Sequence, residues 1–293
     1  MRDIDKSTPI GFIGAGAVGG SIAVALHNAG YPVVATASRT HASAQSLADR
    51  IPGCVPYRSQ QKLVDSVGIV FITTPDDAIS DVCESLKIRE GQGVAHCSGA
   101  ASLDLLDAAA EQGALVGAFH PLQAFSSVDE GVQNIPGVTF GIESAPEMHD
   151  YLEQMAHDIG GNPIFLRPED KVLYHLTGVL MGNLLAVLAS VAASVWPKFD
   201  HTRDEGIRAL TPMMGAVARN LDANGVPQGV AGPYPRGDVG TIRKHLDALK
   251  SHAPEFLLLY CELALAGLPF AVEKGSLSEE LSAEIEDRHI VRS

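Results

Sequence analysis

The chain has 293 residues, with 21 Lys and Arg against 35 Asp and Glu, and a formal charge of −14. This length suggests about two domains, and 46 % hydrophobic residues with 19 % charged residues are typical of a globular chain and exclude a disordered one. The acidic balance offers no basic face for a phosphate backbone, so we expect no nucleic-acid partner.

The first half of the chain alternates β-branched runs with helical patterns, which predicts a doubly wound, mostly parallel sheet covered by helices. The predicted strands are residues 10–13, 33–37, 69–73, 93–96, 115–119 and 138–142. The predicted helices are residues 18–29, 42–50, 76–86, 102–112 and 147–159, and a short run at 163–166 closes this half.

The second half of the chain has a different pattern, because nearly every segment after Arg167 is typical of a helix. The predicted helices are residues 168–196, 202–220, 239–251, 255–266 and 278–288. Pro168 suits a first helical turn, where its missing N–H needs no partner. We therefore predict an α/β domain over residues 1–166 and an all-α domain over residues 167–293.

The run 172–196 carries no formal charge and is long enough to span a bilayer. Its polar residues, among them His175 and Asn183, favour a helix buried in a large domain over a membrane span. We expect no membrane partner and expect the small-residue face of this helix to be covered by its neighbours or by a second subunit. The four cysteines are scattered without a CxxC pair, which favours the reducing cytoplasm.

A glycine motif follows the first predicted strand directly. Residues 14–19, Gly14-Ala15-Gly16-Ala17-Val18-Gly19, form a G-x-G-x-x-G that opens a helix within a βαβ unit. Gly14 allows the tight turn, Gly16 lets a pyrophosphate approach the backbone, and Gly19 lets the helix pack close to the strand. The helix N-terminus adds free N–H groups and a positive dipole end. This context predicts a Rossmann dinucleotide-binding domain, with a tight turn that binds no ligand as the alternative.

The end of the second predicted strand indicates which dinucleotide binds. An NAD site usually has Asp or Glu there, whereas this chain has Ser38, Arg39 and Thr40 and no acidic residue over 33–48. The two hydroxyls can donate hydrogen bonds to a 2′-phosphate, and the guanidinium adds positive charge in a forked geometry. We therefore predict NADP(H) as the cofactor, with a solvated surface arginine as the alternative role of Arg39.

Two later strand ends are predicted to border the cofactor, because ligands of such sheets bind beyond the carboxyl ends of the strands. At the first, Thr73, Thr74 and Pro75 let the chain turn beneath the nicotinamide ribose. Asp76 is expected to be the N-cap of the following helix. At the second, Ser98 either binds the carboxamide or the substrate, or caps the helix that begins near residue 102.

The predicted catalytic residues are His120, Lys171, His175 and Asn183. His120 follows a strand, and the ordinary pKa of histidine suits proton transfer. Lys171 and His175 are i and i+4 and share a helix face, while Asn183 lies about 80° round an α-helix from His175. Such groups stabilise the negative charge that hydride delivery creates on a carbonyl oxygen. The alternative is a hinge lysine with histidines that only bind buried carbonyls.

The segment 232–238 is rich in proline and glycine and ends where a helix begins, so Asp238 is expected to be an N-cap. Arg236 in this segment can bind a substrate carboxylate with two hydrogen bonds. The remaining histidines show no HExxH or paired ligand spacing, so we predict no metal site.

Six segments carry a resemblance to known proteins: GFIGAGAVGGSIA, TTPDDAI, AHCSGA, FHPLQAF, KVLYHLTGVLMGN and GPYPRGDVGTIRKHL. In this order they resemble a family of two-domain Rossmann-like proteins whose helical half is a domain of unknown function, and the resemblance covers residues 8–270. Similar folds include ketopantoate reductase, pyrroline-5-carboxylate reductase, the deazaflavin-dependent NADP oxidoreductases and 6-phosphogluconate dehydrogenase. The resemblance implies an NADP-binding domain followed by an all-α domain of the 6-phosphogluconate-dehydrogenase-like type, which supplies substrate residues and often a dimer interface.

In ketopantoate reductases and β-hydroxyacid dehydrogenases an essential lysine opens the long helix, and Lys171 matches that position by resemblance. The chain departs from the pattern because Asn183 follows twelve residues later, and His175 stands about one turn after the lysine. We expect an NADP(H)-dependent homodimeric oxidoreductase that reduces a small carbonyl or imine, first of all a ketopantoate-type 2-oxo acid. The alternatives are hydride exchange between NADP and a deazaflavin or flavin, and a non-catalytic NADP(H)-responsive regulator.

Overall fold

The computed structural model describes residues 4–287. Its first compact unit contains one eight-stranded sheet in the order β3-β2-β1-β4-β5-β6-β7-β8. The strands are β1 (Ile10–Ile13), β2 (Val33–Ala37), β3 (Val55–Tyr57), β4 (Ile69–Ile72), β5 (Gly93–His96), β6 (Leu115–Pro121), β7 (Thr139–Ser144) and β8 (Asn162–Phe165). Neighbouring strands are parallel except for the antiparallel pair β6 and β7. The predicted doubly wound, mostly parallel sheet is therefore confirmed.

The helices of this unit cover both faces of the sheet. They are α1 (Ala17–Asn28), α2 (His41–Ala48), α3 (Gln60–Ser66), α4 (Ile79–Glu84), α5 (Asp107–Ala110), α6 (Val128–Asn134), α7 (Pro146–Asp158) and α8 (Lys171–Gly178). Phe12 and Phe71 belong to one apolar cluster, and Ile13 and Ile72 to the other. Successive strand residues point to opposite faces, so the strands are buried on both sides and read as continuous apolar runs.

The second compact unit is helical throughout its described part. Its helices are α9 (Leu185–Ser194), α10 (Arg203–Asn224), α11 (Val239–His252), α12 (Leu257–Glu273) and α13 (Glu279–Asp287). Ile242, Leu246 and Leu268 lie in its core. The Asp238 carboxylate accepts a hydrogen bond from the backbone N–H of Thr241 at 3.1 Å, so this predicted N-cap is confirmed. Residue 288 of the predicted last helix lies outside the described residues.

The boundary between the units falls after Asn183, beyond the predicted boundary at 166/167. The first turns of the long helix belong to the sheet-containing unit, because Lys171 pairs with Glu143 on β7 and Tyr174 contacts His120 on β6. The start of α8, which carries the predicted catalytic residue Lys171, is therefore fixed by contacts with strands of the sheet.

Two helical stretches, Pro168–Phe199 and Pro254–Glu273, are long and apolar enough to cross a membrane by length and composition. Only 11 % of the first one's most apolar window is buried within the chain. Val172, Leu173 and Val187 are more than half exposed. Neighbouring helices of the same chain therefore leave much of this helix uncovered, and its cover by a second subunit stays a prediction.

Candidate active site

The glycine turn at the carboxyl end of β1 has the geometry of a dinucleotide site. Gly14 has φ +116°, and a Cβ there would lie 2.5 Å from the carbonyl oxygen of Thr73. A Cβ on Gly19 would collide with the Thr73 hydroxyl, whereas a Cβ on Gly16 would meet no protein atom within 4 Å. Gly14 and Gly19 are thus required by the fold of the turn, and Gly16 borders open space that a pyrophosphate fits.

A cavity of about 340 Å³ lies against this turn. It is lined by Gly16, Ala17, Val18, Gly19, Thr73, Thr74, Pro75, Asp76 and Cys97. The Thr74 hydroxyl is buried and has no hydrogen-bond partner among the described residues. A buried polar atom without a partner is costly, so a bound ligand would satisfy it. Predicted cofactor residues from the ends of β1 and β4 therefore meet at one cavity, whereas Gly14, Ala15 and Ser98 do not line it.

Ser98 is 3 % exposed and turns toward the chain. Its hydroxyl donates a hydrogen bond to the Asp76 carboxylate at 2.7 Å and accepts one from the backbone N–H of Ala101 at 3.1 Å. Asp76 is the first residue of a short 3₁₀ turn whose N-cap position is Pro75, and its carboxylate accepts the Ser98 hydroxyl, so its predicted N-cap role is wrong. Its side chain instead ties the β4 end to the β5 end. Ser98 does not cap the helical turn that begins at Leu103, whose N-cap position is Ser102, and its binding of the carboxamide or the substrate stays a prediction.

The residues predicted to select the cofactor follow β2. Ser38 is half-buried, and Arg39 and Thr40 are exposed. The Thr40 hydroxyl lies 2.6 Å from that of Ser43 in the first turn of α2. Their place beyond a strand end suits a ribose phosphate, and the preference for NADP(H) stays a prediction.

A second and larger cavity of the first unit, of about 490 Å³, brings three of the four predicted catalytic residues together. It is lined by His120, Leu122, Gln123, Ala124, His175, Thr177, Gly178, Val179, Met181, Gly182 and Asn183. The rings of His120 and His175 lie 6.0 Å apart between centroids and nearly perpendicular to each other. Two imidazoles and an amide thus face one space that a small molecule can enter.

A π-helical segment places Asn183 in this cavity. Helix α8 ends at Gly178, and Val179–Leu184 form the π-helical turn. Such a turn closes its hydrogen bonds from i to i+5, so each residue advances by a smaller angle than in an α-helix. The 80° offset expected between His175 and Asn183 assumed a regular α-helix and is wrong, because the π-turn brings the asparagine back toward the histidine's face.

His120 is held from one side by Tyr174. The tyrosine hydroxyl lies 3.2 Å from Nδ1 of His120. Burial, together with the neighbouring His175 and Lys171, lowers the pKa of His120 to about 4. Burial raises the pKa of Tyr174 to about 12. Near neutral pH the imidazole is therefore uncharged and the phenol protonated.

Lys171 does not line this cavity. Its side chain is 1 % exposed, and its Nζ lies 3.3 Å from Oε2 of Glu143, which is also buried. Burial lowers the pKa of the lysine, and the glutamate opposes that shift. Glu143 is missing from the sequence-based site; its only signal was an acidic residue at the end of an apolar strand.

Gly99 lies directly beside the two histidines. A Cβ on this residue would lie 2.6 Å from Nε2 of His120 and 2.7 Å from Cδ2 of His175. Sequence reasoning missed this glycine, although it directly follows Ser98 in the loop after β5.

His96, at the end of β5, is fully buried, and both of its ring nitrogens have partners. Nδ1 accepts a hydrogen bond from the backbone N–H of Ser98, and Nε2 lies 3.1 Å from the Ser102 carbonyl oxygen. This ring therefore serves the loop that carries Gly99.

Arg236 belongs to the second unit and is exposed in the loop before α11. Within residues 4–287, no group of three or more His, Cys, Asp or Glu side chains is arranged to hold a metal ion. Binding of a substrate carboxylate by Arg236 stays a prediction.

The fold and the glycine turn define a Rossmann-like protein with a helical second half. Residues 3–121 match the family model of a Rossmann-like domain. Residues 138–266 match the model described as a domain of unknown function, DUF2520. The chain thus matches a Rossmann-like model followed by a DUF2520 model, which confirms the two-domain resemblance. No curated protein matches the sequence.

Solved structures share the fold over nearly the whole chain. A candidate NADP oxidoreductase from Bacteroides fragilis is 23 % identical, with a TM-score of 0.73 over 90 % of this chain and 99 % of that one. A pyrroline-5-carboxylate reductase from Streptococcus pyogenes is 16 % identical, with a TM-score of 0.61 over 96 % of each chain. A reductive aminase from Aspergillus terreus, in complex with NADPH and ethyl-5-oxohexanoate, is 16 % identical, with a TM-score of 0.57 over 97 % of this chain and 94 % of that one. At these identities the likeness establishes the fold.

Proposed function

We propose that the protein is an NADP(H)-dependent oxidoreductase that transfers hydride to a small carbonyl or imine compound. The observation that carries the proposal is the presence, in one unit, of the open glycine turn and of a cavity lined by His120, His175 and Asn183. The three proteins of similar fold, a candidate NADP oxidoreductase, a pyrroline-5-carboxylate reductase and a reductive aminase, support the same reaction class.

The residues of the first unit fit the cofactor. The backbone from Gly14 to Gly19 would hold the pyrophosphate, and Thr73, Thr74 and Pro75 would border the nicotinamide ribose. Ser38, Arg39 and Thr40 would bind the 2′-phosphate. NADPH, when bound, supplies the hydride.

The residues that line the cavity would bind and orient the substrate. His120 and His175 would donate hydrogen bonds to the substrate oxygen or nitrogen, where negative charge or a lone pair develops as the carbon is reduced. Asn183 would orient the substrate through its amide. Lys171, buried against Glu143, would act on the site only through its charge, so direct contact with the substrate is assigned to the histidines.

Cofactor binding tests the first half of the proposal. NADPH and NADH are titrated by fluorescence into wild type, Arg39→Ala and the control Arg219→Ala, which changes an exposed arginine of α10. Loss of a charge-assisted hydrogen-bond pair, worth about 1.5–3 kcal/mol, should weaken NADPH binding about 10- to 100-fold in Arg39→Ala and leave NADH binding unchanged. Equal loss for both dinucleotides would contradict the role of Arg39.

Turnover tests the second half. We propose a ketopantoate-type 2-oxo acid as the first substrate. A simple cyclic imine and a neutral keto ester are assayed in parallel, and NADPH oxidation is the readout. Arg236→Ala should raise KM for the 2-oxo acid and not for the keto ester, because only the acid has a carboxylate to bind. Turnover with a deazaflavin or flavin alone would favour hydride exchange, and tight NADPH binding without any turnover would favour a regulator.

We further propose a cytoplasmic homodimer that covers the apolar face of the long helix. Val172, Leu173, Met181 and Val187 are exposed in the single chain, and burial of such a face stabilises association by about 25 cal/mol per Å². Sedimentation should find a dimer without detergent, and Leu173→Asp should weaken it. A chain that stays in solution only with detergent would instead indicate a bilayer partner.

A further inference from the structure

Tyr174 approaches His120 through a gap that a glycine leaves open. Gly141 lies opposite His120 in the antiparallel β6–β7 ladder, and a Cβ on it would lie 2.8 Å from Cζ of Tyr174. The two rings meet edge to face, 5.5 Å apart between centroids. The phenol therefore reaches the histidine along the sheet surface, on the side away from Gly99.

The phenol has two acceptors within reach. Its oxygen lies 3.2 Å from Nδ1 of His120 and 3.4 Å from the carbonyl oxygen of the same residue. That carbonyl already faces Gly141 in the ladder, and the nitrogen is nearer. The Tyr174 O–H can donate to Nδ1, or it can donate to the carbonyl while an Nδ1–H donates to the phenol oxygen; the shorter distance favours Nδ1 as the acceptor. A neutral imidazole that accepts at Nδ1 carries its hydrogen on Nε2.

The other ring nitrogen of His120 faces the cavity. Nε2 is the atom nearest to the position that a Cβ on Gly99 would occupy, with the His175 ring beside it. Among residues 4–287, Nε2 has no hydrogen-bond partner, and it is not among the buried atoms that lack one. The Nε2–H is therefore available to a molecule in the cavity.

We propose that Tyr174 is a positioning residue that fixes His120 as the Nε2–H tautomer and aims this N–H at the substrate's reacting oxygen or nitrogen. The proposal rests on the proposed reductase function for its catalytic consequence. When the Nε2 proton passes to the substrate oxygen, the phenol O–H bond breaks and an Nδ1–H bond forms. The imidazole stays neutral, and the starting state returns when the phenolate takes the Nδ1 proton back and water protonates Nε2.

The tautomer is measured by NMR on histidine-¹⁵N-labelled protein, without any substrate. Wild type is compared with Tyr174→Phe and with the control Tyr151→Phe, which removes a buried hydroxyl that has no partner among the described residues. His120→Gln assigns the signal. We expect one Nε2–H tautomer in wild type and in Tyr151→Phe, and a mixture with a raised His120 pKa in Tyr174→Phe.

Kinetics supply the second readout. With the substrate that turns over, kcat should fall about 10- to 100-fold in Tyr174→Phe, within the range of a lost proton-transfer arrangement. KM for NADPH should not change, and the acid limb of the pH profile should move to higher pH. An Nδ1–H tautomer in wild type, unchanged tautomers in Tyr174→Phe, or an unchanged kcat would overturn the proposal. If no substrate turns over, the proposed reductase function is contradicted. The NMR result still shows whether Tyr174 fixes the tautomer of His120.

Discussion

The ends of β5 and β6 carry the same residue type in two different roles. The strands are parallel neighbours, and His96 and His120 both have a pKa that burial lowers to about 4. His96 uses both ring nitrogens within its own loop. His120 uses Nδ1 for Tyr174 and turns Nε2 to the cavity. A shifted pKa therefore does not separate a histidine that serves its own loop from one that can bind a ligand, whereas a ring nitrogen without a partner in the protein does.

The largest effect should come from replacing the two histidines in turn. His120→Gln should lower kcat by about 10²–10⁴-fold, because it removes the donor at the reacting atom. His96→Gln should keep kcat per folded molecule and lower the free energy of unfolding, because it breaks loop hydrogen bonds. Steady-state kinetics and urea unfolding on both variants check this, and equal loss of kcat would remove the distinction.

Gly99 lies in the loop that His96 holds and directly beside His120. Its substitution should have the second largest effect on kcat. The Cβ of Gly99→Ala would lie 2.6 Å from Nε2 of His120, so the ring must move. A displacement of about 1 Å can cost 100-fold in rate, and we expect a loss of that order in kcat with NADPH affinity kept. Gly267→Ala, whose Cβ would meet nothing within 4 Å, is the control. Full activity of Gly99→Ala would show that Nε2 is free to shift.

Lys171, which pairs with Glu143, is a charge that lowers the pKa of both His96 and His120. Lys171→Met alone should destabilise the protein by about 3–5 kcal/mol, because it leaves a buried carboxylate without a partner. Lys171→Met with Glu143→Gln should recover most of that loss and keep kcat, if the lysine has no contact with the substrate. Urea unfolding and turnover of the single and double variants check this. A stable but inactive double variant would return Lys171 to the catalytic residues.

The pH dependence of stability should report the two buried imidazoles. Between pH 6.5 and about 4, His96 and His120 bind protons in the unfolded chain but stay unprotonated in the folded protein. The free energy of unfolding therefore increases with pH across this window and decreases on acidification. His96→Gln should reduce the slope by at most about 1.4 kcal/mol per pH unit. Urea midpoints from pH 4 to pH 7 measure it, and an unchanged slope would contradict the lowered pKa of His96.

Most of the sheet could be predicted from the sequence, because its strands are buried on both faces and read as apolar runs. The three-residue strand β3 was missed, since Pro56 interrupts it and half of its surface is exposed. Helices α3 and α6 were missed because seven residues give too few turns for a periodic pattern.

The site could be predicted only where local geometry dictates it. The glycine turn is such a case, since Gly14 and Gly19 are required by contacts close to the turn. The buried position of Lys171 was not predictable, because it depends on Glu143 from a distant strand. The role of Asp76 was misread because the Ser98 hydroxyl, 22 residues further along the chain, competes with the local cap.

The π-helical turn at Val179–Leu184 changes which residues of the long helix share a face, compared with a regular α-helix. A turn that closes from i to i+5 holds one more residue than an α-turn, so residues on either side of it keep different registers. An ungapped alignment with a protein that lacks the turn would pair the wrong positions from Val179 onward. The twelve-position spacing from Lys171 to Asn183 is then a poor guide to equivalence, and a counterpart of Asn183 is found by superposing cavities.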